Sequence, residues 1–305
     1  MRALIRIMIC APLLSAAPAM AHVEASADEA APGWTLDPWI TLPLLTAVLL
    51  FAIGWKRLSV RSGRSKSWRG HAFLHVLGLA TMAIALVSPL HEAGERSFAL
   101  HMTEHELIML VAAPLLVVGE PLALYLWAFP LPLRRAIGRL GSARPVVLLR
   151  RQLCEPVTAT LLQAAALWLW HAPLLFDRAL ARPSWHIAQH LSFLVTALLF
   201  WSAILGRRGS GSRLSAHRAV AVLCLFATSV VSGALGALMA LSQSPWYSGY
   251  AALGMAPFGL TPAQDQQIAG LLMWVPGGLV HAGAALLLVR TILRQQSAAE
   301  AADAV

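Results

Sequence analysis

HRAVAVLCLFATSVVSGALGALMAL, residues 217–241, carries one charged side chain, Arg218, at its very start. About 20 consecutive apolar residues are enough to cross the ~30 Å of hydrocarbon in a bilayer, so this stretch reads as a transmembrane helix. Outward from it, runs of the same kind recur at 39–55, 70–88, 101–119, 157–173, 184–205 and 267–290. The run at 101–119 is followed by Glu120-Pro121, after which apolar residues continue to Phe129. It reads as one long broken helix or as a helix followed by a segment lying at the interface. Composition agrees: 12% of the residues are charged, where a soluble domain carries about 25%. The expected fold class is all-α, a polytopic membrane helix bundle with about seven transmembrane helices.

The segments between the runs give an orientation. Lys56, Arg57, Arg61, Arg64, Lys66 and Arg69 fill the first, and Arg134, Arg135, Arg139, Arg144, Arg150 and Arg151 the third. Arg207, Arg208, Arg213 and Arg218 fill the fifth, and Arg290 and Arg294 follow the last run. The alternate segments hold only Arg96, Arg178 and Arg182. Such a bias places the cation-rich side in the cytoplasm, so the C-terminus is expected inside and the N-terminus outside. The same alternation explains the formal charge of +9; it is a topology signal, and a nucleic-acid partner is not expected.

Residues 1–21 read as a cleaved signal peptide, with Arg2 and Arg6, a short apolar stretch and Ala19-Met20-Ala21 as the cleavage signal. Residues 22–38 then form a flexible exported segment, 39–293 the seven-helix domain and 294–305 a cytoplasmic tail. The expected location is the bacterial cytoplasmic (inner) membrane, with multiple passes through the lipid bilayer.

Ionisable groups at membrane depth are costly, and each invites a functional reading. Three histidine pairs have i, i+4 spacing: His71 and His75, His101 and His105, His186 and His190. On a helix that spacing stacks both imidazoles on one face, where they can chelate a metal. The topology puts His101 and His105, His186 and His190, and His171 at the outer ends of their runs, with His91 in the preceding loop. Met102 and Met109 flank the first outer pair, with Glu104 and Glu106 interleaved. Imidazole with thioether suits copper better than magnesium or calcium, and zinc would also accept the histidines. The metal ligands expected from the pattern are His101, His105, His171, His186 and His190, with Met102 and Met109 optional and Asp177 as an acceptor orienting one imidazole. His71 reads as a headgroup anchor beside Arg69; a second site built from it with His75 and His281 is the alternative. Asp265 reads as the cap of its own helix. Cys154 and Cys224 stand alone, so neither a disulfide framework nor a thiolate site is expected. No Gly-rich phosphate loop and no nucleophile triad is legible, and an enzyme is not expected.

The string His101-Met102-Thr103-Glu104-His105 resembles the H-M-x-x-H signature of the CtaG-type multi-helix membrane family of cytochrome c oxidase assembly factors. Ser88-Pro89-Leu90, Trp170-His171-Ala172-Pro173 with Asp177, and His186, His190, Ser192 and Phe193 are similar to that family's motifs, in order. So is the stretch from Asp265-Gln266-Gln267 through Ala269 and Gly270 to Met273, Trp274, Pro276 and Gly277. Glu104 and Glu106 stand where the resemblance leads one to expect an amide and an apolar residue, and His91 where an acidic residue is common. The resemblance implies a role in producing active terminal oxidase, connected with copper binding or delivery. Its partners would be cytochrome c oxidase subunits and a copper chaperone. The residues alone also admit a haem-binding membrane cytochrome, a copper permease, or a structural chaperone without metal.

Overall fold

The computed structural model describes residues 32–62, 65–119, 122–206 and 212–303. The signal peptide, residues 22–31 of the exported segment and the Glu120-Pro121 break lie outside the described residues. Helix α1 spans Pro38–Ser62 and α2 Ser65–Leu86, and a short α3 covers Pro89–Arg96. Helix α4 begins at Phe98, widens into a π-helical stretch at Leu107–Ala112 and ends at Val118. Helices α5 (Leu122–Trp127), α6 (Leu131–Ser142) and α7 (Arg144–Leu153) follow. Then come α8 (Pro156–Trp170), α9 (Pro173–Ala181), α10 (Pro183–Ile204), α11 (Ser212–Leu241), α12 (Ser248–Leu253) and α13 (Pro262–Asp303). No strand occurs among the described residues.

Six of these helices are long and apolar enough to cross a membrane, and α8 with α9 makes a seventh if the bent pair counts as one span. The expectation of an all-α polytopic bundle holds. The fourth run differs in detail. Alone, α8 rises only about 22 Å at 1.5 Å per residue, short of the hydrocarbon thickness, and the chain turns by 73° before α9 continues. The cause is local: Pro173 has no N–H to extend α8, and it opens α9 as its first residue. Pro89, Pro156 and Pro183 likewise sit in the first turns of α3, α8 and α10. Pro276 alone of the prolines singled out above remains inside a helix. The apolar residues beyond Gly119 form the short α5, followed by the arginine-bearing α6 and α7, with the Arg134 guanidinium 4.5 Å over the Trp127 ring. The α13 helix runs on through Asp303, so the C-terminal tail is helical for most of its length.

Leu223, Phe226, Leu279 and Leu286 point outward and are each at least 66% exposed. In water such a surface would be an aggregation liability; against lipid tails it is matched to its solvent. Because lipid offers no hydrophobic drive between helices, close backbone approach must supply the packing. Helices α11 and α13 achieve it at Gly236 and Gly270. A Cβ at Gly270 would stand 2.4 Å from the Gly236 carbonyl oxygen and 2.6 Å from the Ala240 nitrogen.

The core lies among α4, α8, α9, α10, α11 and α13, around Phe98, Phe176, Phe193 and Met102. The start of α4 is fixed there from two directions. Ser97 is its N-cap and accepts from the Leu100 N–H at 3.3 Å. Asp265 of α13 accepts from the Ser97 hydroxyl at 2.8 Å and from the Phe98 N–H at 2.6 Å. Asp265 therefore caps a neighbouring helix as well as lying in the first turn of its own. The π-helical stretch is held in turn by α10, whose Trp201 indole N–H donates to the Met109 carbonyl at 2.8 Å.

Candidate metal centre

Helix α4 presents His101 and His105 one turn apart, and α10 presents His186 and His190 in the same way. The two pairs face each other. Ring centroids are 4.4 Å apart for His101 and His105 and for His186 and His190, 5.3 Å for His101 and His186, and 4.8 Å for His105 and His190. One ring nitrogen from each of His101, His186 and His190 falls within 4.8 Å of the others. The Nε2 atoms of His186 and His190 are 2.8 Å apart, close to the roughly 3 Å that adjacent ligand nitrogens keep around an ion with ~2.0 Å bonds. His101 Nε2 and both ring nitrogens of His105 are buried with no hydrogen-bond partner. Buried nitrogen without a partner is costly. A cation at the centre would satisfy these atoms, so the donor set fits a borderline metal ion such as copper or zinc.

His91 of α3 completes the group. Its ring stacks on His186 at 5.5 Å, and its Nδ1 is 2.9 Å from Glu104 Oε1. The same carboxylate oxygen lies 3.5 Å from His190 Nδ1. That is an ion-pair distance without a hydrogen bond, so the negative charge of Glu104 lies beside the ring while His190 Nδ1 stays unpartnered. Helix α3 is held in place by the Tyr250 hydroxyl, which donates to the Gly94 carbonyl at 2.6 Å.

Four expected members, His171, Met102, Met109 and Asp177, stand apart from the imidazoles of His101, His105, His186 and His190. His171, at the end of α8, has its Nε2 3.4 Å from the Met102 sulfur. The Phe193 ring packs against both histidines, 4.8 Å from His105 and 6.2 Å from His171. Met109 turns to α8, where the Gln163 amide donates to its sulfur at 3.3 Å. Asp177 orients no imidazole; it accepts from Ser248 and Gly249 in the segment after α11. The suggested inner site is also dispersed. His75 bonds the Tyr125 hydroxyl at 2.8 Å, His71 lies beside Trp68, and His281 stacks on Trp201. What sequence reasoning missed is the role of Glu104 and His91 as a pair. The sequence places His91 in the loop before the outer pairs and Glu104 among them, and both depart from the family pattern; that departure was the available signal for pairing them.

A cavity of about 1,110 Å³ reaches the cluster. His91, His186 and His190 line one part of it, with Asp37, Glu92 and Glu95 also in its wall. Leu44, Met82, Leu194 and Leu198 line the apolar part, and His75 and Tyr125 belong to the lining as well.

His91 lies outside the spanning helices, and its pKa is raised above 6.5. Burial works to lower it, but the hydrogen bond and charge of Glu104, with Glu95 and Asp37, outweigh burial. A group whose folded pKa lies above its unfolded one contributes fully below the unfolded value, and that contribution is lost as pH rises through the folded value. Metal-free protein is therefore expected to lose thermal stability as pH rises above about 6.5, and His91→Gln to flatten that dependence. Melting curves in detergent across this range check it; an unchanged slope in the variant would rule out the pairing.

Two uncharacterized mycobacterial proteins, one from Mycobacterium bovis and one from Mycobacterium tuberculosis, are each 28% identical to this chain over 250 residues. The match covers 79% of this chain and 36% of each relative, so the chain spans about a third of the length of the curated relatives it matches. No solved structure matches it. The family described as cytochrome c oxidase caa3 assembly factor matches residues 49–295, which takes in every helix from the middle of α1 through most of α13 and all the histidines of the cluster. On that match the chain belongs to the family of cytochrome c oxidase caa3 assembly factors.

Proposed function

We propose that this protein assists the assembly of cytochrome c oxidase by holding a copper ion as cargo between α4 and α10 and passing it to an oxidase subunit. The observation that carries the reading is the convergence of His101, His186 and His190 within 4.8 Å, beside buried imidazole nitrogens with no partner. His101, His186 and His190 hold the ion, and His105 is the adjacent fourth donor. Glu104 supplies compensating charge beside His190 and holds His91 against the group. The role is that of a carrier, with no bond made or broken in a substrate. Haem is the weaker reading, because His91, His186 and His101 stack on one another and fill the space that a macrocycle between them would need.

The site faces outward in this proposal, in the bacterial cytoplasmic membrane. An outward N-terminus and inward C-terminus follow from the arginine bias. Reporter fusions are expected to place 56–69, 130–155 and 206–217 in the cytoplasm, and 89–100, 174–183 and 242–264 outside. A cytoplasmic 242–264 would reverse the site. The cavity then gives a copper chaperone or the client subunit access to His186 and His190. The functional test is deletion of the gene followed by spectroscopy of the membranes. The expected result is an oxidase that retains haem but lacks copper and activity, restored by the intact chain. A fully active oxidase in the deletion strain would refute the role.

A further inference from the structure

His171 and Met102 form a contact that hydrogen bonding does not explain. His171 Nδ1 is 2.7 Å from the Leu167 carbonyl oxygen. A carbonyl only accepts, so the proton of the neutral ring is on Nδ1 and the lone pair on Nε2. That Nε2 is 3.4 Å from the Met102 sulfur, and a thioether has lone pairs and no hydrogen to donate. Two electron-rich atoms thus meet in a site where His171 is 3% and Met102 1% exposed. A cation between them turns the contact into two bonds. With bonds of roughly 2.0 Å to nitrogen and 2.3 Å to sulfur, a 3.4 Å separation subtends about 105° at the ion. That angle belongs to three- or four-coordination and calls for a further donor. Met239 offers a second thioether in the same core. Its sulfur is 3.9 Å from the Tyr247 hydroxyl, which donates to the His171 carbonyl at 3.1 Å.

From this geometry we infer that His171 and Met102 are the ligands of a second metal subsite, separate from the imidazole cluster and selective for a soft monovalent ion, Cu(I). Thioether sulfur prefers Cu(I), whereas imidazoles alone also accept Cu(II) and Zn(II). Phe176 and Phe193 pack against both places: Phe176 lies 5.4 Å from His101 and 6.0 Å from His171, and Phe193 4.8 Å from His105 and 6.2 Å from His171. The chain therefore holds one subsite for borderline ions and one for a soft ion. The inference stands on the His171–Met102 contact and does not depend on the imidazole cluster binding copper.

The test uses the purified full chain in detergent, with Ag(I) as the probe for soft sites and Co(II) as the visible probe for the imidazole cluster. Intact protein is expected to bind about two Ag(I) and about one Co(II). Met102→Leu, close in volume, is expected to lower Ag(I) to about one while the Co(II) spectrum is unchanged, which also shows that the variant is folded. X-ray absorption on the Ag(I) form should lose its sulfur shell in the same variant. His101→Ala with His186→Ala should remove Co(II) and leave the sulfur-ligated Ag(I). Unchanged Ag(I) stoichiometry and sulfur shell in Met102→Leu would overturn the subsite while leaving the imidazole reading intact. Absent Co(II) with a Met102-dependent Ag(I) would do the reverse.

Discussion

Cells whose only copy of this protein carries His101→Ala with His105→Ala are expected to make no active terminal oxidase, although the protein still inserts at normal levels. The two imidazoles sit in successive turns of α4 and face His186 and His190. Their removal takes one of the three converging ligands and its neighbouring donor. Loss of an outer-shell partner alone typically costs about 10–100-fold in metal affinity, so loss of a direct ligand should exceed roughly 100-fold. Insertion should be spared because the apolar length of Phe98–Val118 is unchanged, and because Ser97 and Asp265 still fix the start of the helix. Oxidase activity and copper content in membranes, with immunoblotting of the variant, measure this. Normal oxidase activity in the double variant would remove the cluster from the function.

Gly270→Val should act on the scaffold. The added Cβ would meet backbone atoms of α11 on two sides, the Gly236 oxygen at 2.4 Å and the Ala240 nitrogen at 2.6 Å. No side-chain rotation relieves such a contact, so α11 and α13 must separate. Overpacking of this kind costs roughly 3 kcal/mol, a large share of a typical net stability. Displacing α13 would also pull Asp265 from the start of α4 and so loosen the histidines. The expected outcome is a protein scarcely recoverable in detergent, together with loss of oxidase. Wild-type recovery and melting behaviour would show that the close approach is dispensable.

The spans were legible because length and apolarity are properties of single segments. The i, i+4 spacing likewise placed each histidine pair on one helix face without any tertiary information. Whether those faces meet depends on helix rotation, which no local pattern encodes; burial of imidazole made a shared interior reasonable, and the contacts show it. The parts not legible are those set by distant partners. Asp265 reads locally as a cap for its own helix, yet its hydrogen bonds reach Ser97 and Phe98, more than 160 positions away. His171 lies at the expected end of α8, but its Nε2 meets the Met102 sulfur instead of the other imidazoles. Asp177 reads in sequence as a partner for an imidazole, yet it is taken up by Ser248 and Gly249. The π-helical turn at Leu107–Ala112 leaves no signature in an apolar run, because its support is the Trp201 indole of another helix.

Copper bound between α4 and α10 is the central claim, and X-ray absorption on the purified, copper-loaded protein addresses it most directly. The account predicts about one copper per chain at the cluster, with three or four imidazole nitrogens at ~2.0 Å. That nitrogen shell should disappear in a variant combining His101→Ala and His186→Ala. Copper that stays with the same nitrogen shell in that variant, or a protein that takes up no copper at all, would contradict it.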